Sequence, residues 1–262
     1  LINPFMSCSA RLPVYILIAG AVFPNQAGNV IFGLYLTGVL LAILISLVFK
    51  KTLFKSSEAP FVMELPPYRM PTPKAVFIHL WDKGRQYLSK MGGIILIAVI
   101  LIWALEYFPG GSSVSAEERL EQSYISRIGK TIEPVLEPLG FDWRMGISLL
   151  TGAAAKEVVV STMGVLFGAG TGDDESSAAP LTRELQRATY QHGPRQGEPL
   201  FTPLVGISYL LFILIYMPCV AVIATVSRES GSWKWALFLI GYTTLLAWLL
   251  SFAVFQIGSL IF

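Results

Sequence analysis

The chain has 262 residues, of which 54% are hydrophobic and only 14% charged, and its mean hydropathy is +0.62. Soluble domains carry about 25% charged residues, so a water-facing surface of ordinary polarity cannot be assembled from this composition, and intrinsic disorder, collagen-like and disulfide-scaffold classes fall with it. A formal charge of +2, with the basic residues gathered at the ends of apolar stretches, offers no patch for nucleic acid.

In chain order, residues 13–23 form an apolar stretch between Arg11 and Pro24 that is too short to cross a bilayer core of about 30 Å. It reads as a half-helix or the end of a longer one. Leu1 stands where an initiator methionine would, and no charged segment precedes this stretch, so the sequence reads as a fragment or processed product. Residues 29–49 are uncharged and long enough to span. The segment 50–91 carries Lys50, Lys51, Lys55, Arg69, Lys74, Lys83, Arg85 and Lys90 against Glu58, Glu64 and Asp82, a balance that places it on the cytoplasmic side. Within it, Val76, Phe77, Leu80, Trp81, Tyr87, Leu88 and Met91 recur at helical spacing opposite Lys74, Asp82, Lys83, Arg85 and Lys90. That pattern predicts an amphipathic helix over 74–91 lying on the leaflet, with His79 as an ordinary polar residue.

Residues 92–108 make a further span with Glu106 near one end, and the acid-rich segment 107–144 suits the outer side. Residues 145–168 are apolar except for Lys156 and Glu157 in the middle, so this stretch either lines a polar cavity or re-enters the membrane. Residues 170–199, rich in Gly, Ser, Pro and acids, read as a mobile surface loop with a short helix at 181–190. Residues 203–227, interrupted by Pro218, and 235–262 complete the spans. The fold class expected is all-α: a polytopic helical membrane protein with broken or re-entrant helices.

Both cysteines of the chain fall in one pattern. Phe5-Met6-Ser7-Cys8-Ser9-Ala10 and Tyr216-Met217-Pro218-Cys219-Val220-Ala221 share an aromatic residue, Met, Cys and Ala in register. Each stands beside a helix interruption, since Pro218 cannot donate a backbone hydrogen bond and Pro13 follows Cys8. Broken helices at corresponding places in two halves point to a transporter's midplane site. Thiolate and thioether sulfur suit late or borderline transition metals better than Mg²⁺ or Ca²⁺. Cys8 and Cys219 are therefore candidate ligands, with Met6 and Met217 beside them and Pro13 and Pro218 at the gating breaks. The opposing reading is that buried thiols and thioethers here pack as hydrophobes.

Lys156 and Glu157 are neighbours and point about 100° apart on a helix, so each needs its own partner. An ionisable group at mid-membrane costs at least ~2.5 kcal/mol and faces a bundle interior or water. Glu157 is a candidate ligand or gating carboxylate and Lys156 a counterweight or lock. The competing reading is a structural network with Ser148, Thr151, Ser161 or Thr162. Gly164 and Gly168 form a small-xxx-small contact that speaks for packing. Gly129-Lys130-Thr131 resembles the end of a phosphate loop, but Tyr124 stands where the first glycine belongs and no strand precedes it.

Four segments carry a family resemblance: Pro4 to Tyr15 around Cys8, Met63-Glu64-Leu65-Pro66-Pro67-Tyr68-Arg69-Met70-Pro71, Gly152 to Val160 around Lys156-Glu157, and Tyr216-Met217-Pro218-Cys219. In this order they resemble the membrane region of ferrous iron transport protein B. The resemblance implies Fe²⁺ uptake across the bacterial inner membrane by two gate domains of nucleoside-recognition type, each contributing a membrane cysteine, here Cys8 and Cys219. It divides the chain into 1–49, the end of the first gate; 50–91, the basic cytoplasmic loop; and 92–262, the second gate with the C-terminal spans. It also implies a lipid environment, GTP and Mg²⁺ bound by an N-terminal GTPase domain outside this sequence, small cytoplasmic accessory proteins as partners, and a homo-oligomer as a possible assembly. The chain itself is expected to be a transporter part and no enzyme. Two other readings stand beside it: a gate-type permease for nucleosides or small solutes, and a non-transporting membrane subunit that scaffolds a separate GTPase.

Overall fold

The computed structural model describes residues 2–53, 70–85, 100, 104–105, 107–108, 123–167, 178–190 and 195–261. Among these the chain is helical apart from turns and one isolated bridge between Thr189 and Pro199. The helices are α1 (Leu12–Val22), α2 (Ala27–Thr52), α3 (residues 73–85), α4 (Tyr124–Leu136), α5 (Trp143–Ala154), α6 (Val158–Leu166), α7 (Ala178–Arg187), α8 (Pro203–Ile215), α9 (Val220–Glu229) and α10 (Trp233–Ile261). The protein is an all-α membrane protein. Three stretches are long and apolar enough to cross a bilayer: Ala27–Thr52, Pro203–Glu229 and Trp233–Leu260.

The spanning helices are apolar all round, as burial among lipid requires. On α2 the side chains of Phe32, Leu36, Leu40, Ile43, Leu44 and Leu47 face outward, and on α10 those of Leu237, Leu245, Leu249 and Ile257. A soluble protein could not leave such belts uncovered. Lys50 and Lys51 close the last turn of α2, where cations meet both headgroups and the helix C-terminus. The described part of α3 is exposed along its whole length, Phe77, Leu80 and Trp81 included. Its amphipathic pattern therefore has no protein partner among the described residues. Residues 86–91 of that expected helix, and most of the expected span over 92–108, lie outside the described residues.

Inside, α8 packs against α10, and α1 against α2, α7 and α8. Helix contacts in lipid rely on small residues and on hydrogen bonds across the interface. Both devices appear. Ser251 Oγ donates to Ser208 O at 3.0 Å while Ser208 Oγ donates back to Ser251 O at 3.2 Å, a reciprocal pair between α8 and α10. A Cβ on Gly206 would come within 2.9 Å of Val22, and one on Gly258 would collide with Leu204. Phe141 is held edge-on between Tyr209 and Phe212, with ring centroids 5.3 and 5.8 Å away.

Within 170–199 the short helix expected at 181–190 is present three residues earlier, at Ala178–Arg187, but its described part is packed against the protein and is not a mobile surface loop. Helix α7 docks on α1, with Leu185 fully buried and Leu181 nearly so, and Gln186 Nε2 donates to Ala21 O at 2.9 Å. The few leucines in a polar sequence fall on one face, which α1 covers; composition averaged over the segment hides that. Beyond α7, Tyr190 Oη donates to Gly140 O at 2.6 Å, and burial pushes the Tyr190 phenol up to about 12, so the donor persists across ordinary pH. Gly140 itself needs glycine, with φ 80° and the Phe255 ring against it.

Candidate functional site

Two helix breaks meet in the middle of the molecule. The first separates α5 from α6 at Ala155-Lys156-Glu157, where Ala155 adopts φ −149°, ψ 125°. The second separates α8 from α9 at residues 216–219; α8 ends as Tyr216 N donates to Phe212 O, and the chain unwinds through Met217 and Pro218. The described part of 145–168 thus lies in a broken pair of short helices, Trp143–Ala154 and Val158–Leu166, and residues 203–227 are divided where Pro218 predicts.

The cysteine repeat is also a repeat of backbone shape. Cys8 is extended, φ −92° and ψ 162°, and its carbonyl accepts from Arg11 N at 3.2 Å to open the 3-10 turn that leads into α1. Cys219 is extended, φ −61° and ψ 157°, and its carbonyl accepts from Val222 N at 2.9 Å to open α9. Each thiol therefore stands on the residue before a helix. Cys8 is exposed and Cys219 half-buried, and both are free. Met6 is exposed and Met217 half-buried. Pro13 lies in the first turn of α1, where its fixed φ starts a helix instead of breaking one.

Lys156 joins the two breaks. Its side chain is 3% exposed, and its ammonium donates to Met217 O at 3.0 Å while standing 3.1 Å from the centroid of the Tyr216 ring. Arg11, Cys219 and Cys8 lie within its electrostatic reach. Of the partners expected from Ser148, Thr151, Ser161 or Thr162, the first two are engaged elsewhere: Ser148 Oγ pairs with Tyr209 Oη at 2.8 Å and Thr151 Oγ1 donates to Ser148 O. Those hydroxyls sit on the regular turns of α5, where local carbonyls and α8 satisfy them, whereas the unwound chain at 217 leaves a carbonyl for the ammonium. Glu157 points away and is exposed. The break explains the divergence of the two neighbours, since residues 155–157 leave the helix altogether.

The surroundings of Lys156 are shaped for it. A Cβ on Gly152 would collide with Val159 and stand 2.6 Å from Tyr216 Oη, so α5 must present a bare backbone for the Tyr216 ring to lie where it does. Arg11, 3% exposed, donates through Nη1 to Pro4 O at 2.9 Å. Arg11, Tyr15 and Tyr216 were given no role by sequence reasoning. The available signals were Arg11 as the lone cation before an apolar run, and the aromatic shared by the two cysteine motifs. Among the described residues no three His, Cys, Asp or Glu side chains gather into a metal-holding group. The triplet Gly129-Lys130-Thr131 is a turn of α4 in which Gly129 lets Ile147 and Trp143 of α5 approach, so it forms no phosphate loop.

Comparison with known proteins fits this arrangement. Residues 88–233, more than half of the chain, match the gate family, described as nucleoside recognition. The chain belongs to the gate family. Residues 31–83 match the family described as ferrous iron transport protein B C terminus. The chain is 49% identical, over its whole length, to a Porphyromonas gingivalis protein named Fe(2+) transport protein A/Fe(2+) transporter FeoB fusion protein, covering 34% of it. It is 40% identical to the Fe(2+) transporter FeoB of Leptospira biflexa, covering 100% of this chain and 38% of that protein. With the Campylobacter jejuni Fe(2+) transporter FeoB it shares 39% identity over 98% of this chain and 41% of the relative. The chain thus spans little more than a third of the length of these relatives and resembles the membrane part of FeoB. No solved structure matches it significantly.

Proposed function

We propose that the chain forms the membrane pathway of a ferrous iron uptake protein, with Fe²⁺ as cargo. The observation that carries this reading is the seat of Lys156. A carbonyl freed by a helix break, an aromatic face and two nearby thiols are what a desolvated cation requires, and a tethered ammonium holds that place. Cys8 and Cys219 serve as soft ligands on either side, with Met6 and Met217 beside them. Glu157, exposed at the same break, draws the dication in, and Lys156, with the helix start at Pro13 and the break at Pro218, gates its passage.

The names of the relatives support iron as the substrate, and their greater length leaves room outside this chain for the GTP- and Mg²⁺-binding domain to which uptake would be coupled. The fused name of the Porphyromonas gingivalis relative supports a small accessory partner. The protein is then a multi-pass resident of the bacterial inner membrane, with residues 1–49 ending a first gate, 50–91 facing the cytoplasm and 92–262 forming the second gate. The test is ⁵⁵Fe²⁺ uptake by cells whose only ferrous transporter is the protein carrying this chain. Cys8→Ser with Cys219→Ser should lower uptake about tenfold or more, on the order of one lost ligand interaction in low dielectric; undiminished uptake overturns the ligand role. The family description favours one other reading, a nucleoside permease. Saturable uptake of labelled nucleoside that ignores both cysteine substitutions supports that reading instead.

A further inference from the structure

Beside the carbonyl and ring that meet the Lys156 ammonium lies a second group of side chains, on the Arg11 side, that is rich in hydrogen-bond donors. Arg11 and Lys156 are both buried cations, and among the described residues neither meets a carboxylate. Arg11 spends one N–H on Pro4 O, and its Nε–H finds no acceptor. Around it, Tyr216 Oη is buried without a partner, and the buried hydroxyls of Tyr15 and Ser7 have only each other, which leaves one of their two O–H donors unspent. These groups share one place: Arg11 lies within electrostatic reach of Tyr15, Tyr216 and Lys156, and Ser7 lies beside Tyr15. Tyr15 is fully buried and Arg11 and Tyr216 are each 3% exposed, so bulk water does not quench their hydrogen bonds.

A hydroxyl can turn to accept as well as donate, but a guanidinium and an ammonium can only donate. The deficit is therefore one of acceptors and of negative charge. Buried charges persist when paired, and buried donors when satisfied. A monovalent ion with a loosely held water shell is cheaper to bring into such a place than phosphate or sulfate, and phenol and guanidinium N–H and O–H groups are its usual partners.

We infer that Arg11, Tyr15, Ser7 and Tyr216, facing the ammonium of Lys156, form a binding site for a small monovalent anion of the halide class. The anion neutralises one of two facing cations at the meeting of the breaks and locks the N-terminal motif to the α8–α9 break. Its occupancy does not depend on iron, so it is read with metal removed.

Thermal unfolding of the purified chain in detergent with excess chelator tests this, with sodium chloride titrated against sodium gluconate at constant ionic strength. Chloride, and bromide likewise, should raise the unfolding temperature saturably while gluconate does not. Arg11→Gln should abolish that rise, Tyr15→Phe should weaken apparent chloride affinity about tenfold, and the exposed control Lys234→Gln should keep it intact. Should Arg11→Gln fail to fold, Tyr15→Phe decides. Equal unfolding temperatures in chloride and gluconate overturn the site, as does a chloride response that Tyr15→Phe leaves unchanged. A failed iron-uptake test leaves these outcomes readable, because no metal or transport enters them.

Discussion

The ammonium of Lys156 lies 3.1 Å from the centroid of the Tyr216 ring, and that contact ties the break between α5 and α6 to the break between α8 and α9. Each frees backbone groups of a helix, and at the α8–α9 break, inside a spanning stretch, lipid could not satisfy them. Meeting, they trade an ammonium for a carbonyl and an aromatic face.

Lys156 is the first residue to change. Replacing a buried cation by an apolar side chain of similar length is often close to neutral for stability, because the cost of desolvation vanishes with the charge. Lys156→Met is therefore expected to unfold within about 1 kcal/mol of the parent, yet to pass Fe²⁺ into proteoliposomes without nucleotide because the tethered cation no longer holds the seat. Lys156→Arg should fold and stay closed. A Met variant as tight as the parent removes Lys156 from gating.

Gly152 allows the contact sterically. Gly152→Ala would drive a methyl into Val159 and against the Tyr216 hydroxyl, with an expected loss of about 1–3 kcal/mol from overpacking. A Cβ on Gly241 of α10 would meet nothing within 4 Å, so Gly241→Ala should be neutral or slightly stabilising, by up to about 1 kcal/mol. Chemical denaturation of the two variants side by side checks the contrast, and equal effects would show that the packing at Gly152 is unimportant.

A second buried clamp holds the start of α5. Asp142 caps the helix through Met145 N at 2.9 Å and accepts from Arg144 Nε at 2.7 Å, while Arg144 Nη2 donates to Thr189 O at 2.7 Å and its guanidinium stacks 4.6 Å from the Phe167 ring centroid. Asp142→Ala strands the guanidinium in the interior and should cost about 3–5 kcal/mol. Asp142→Ala with Arg144→Met should recover a large part of that loss. A double-mutant cycle on unfolding free energy measures the coupling, and strict additivity would show that the pair does not act as a unit.

Much of the architecture is legible without coordinates. Twenty-residue apolar runs such as those in α2 and α10 admit one solution in lipid, a helix, because no water is present to take up backbone hydrogen bonds. Pro218 marks its break for an equally local reason, the missing N–H. The pairing of Cys8 with Cys219 is visible as a pattern, and each does stand before a helix. What local rules could not supply is who meets whom. The leucines of α7 sit on a helix the sequence suggests, but not that α1 covers it; the partner of Lys156 lies at position 217, and Arg11, Tyr15 and Tyr216 gain meaning only beside one another. Periodicity and composition are set within a few turns of chain, whereas a buried ammonium finds its acceptor across sixty residues, and that choice belongs to the packed tertiary structure alone.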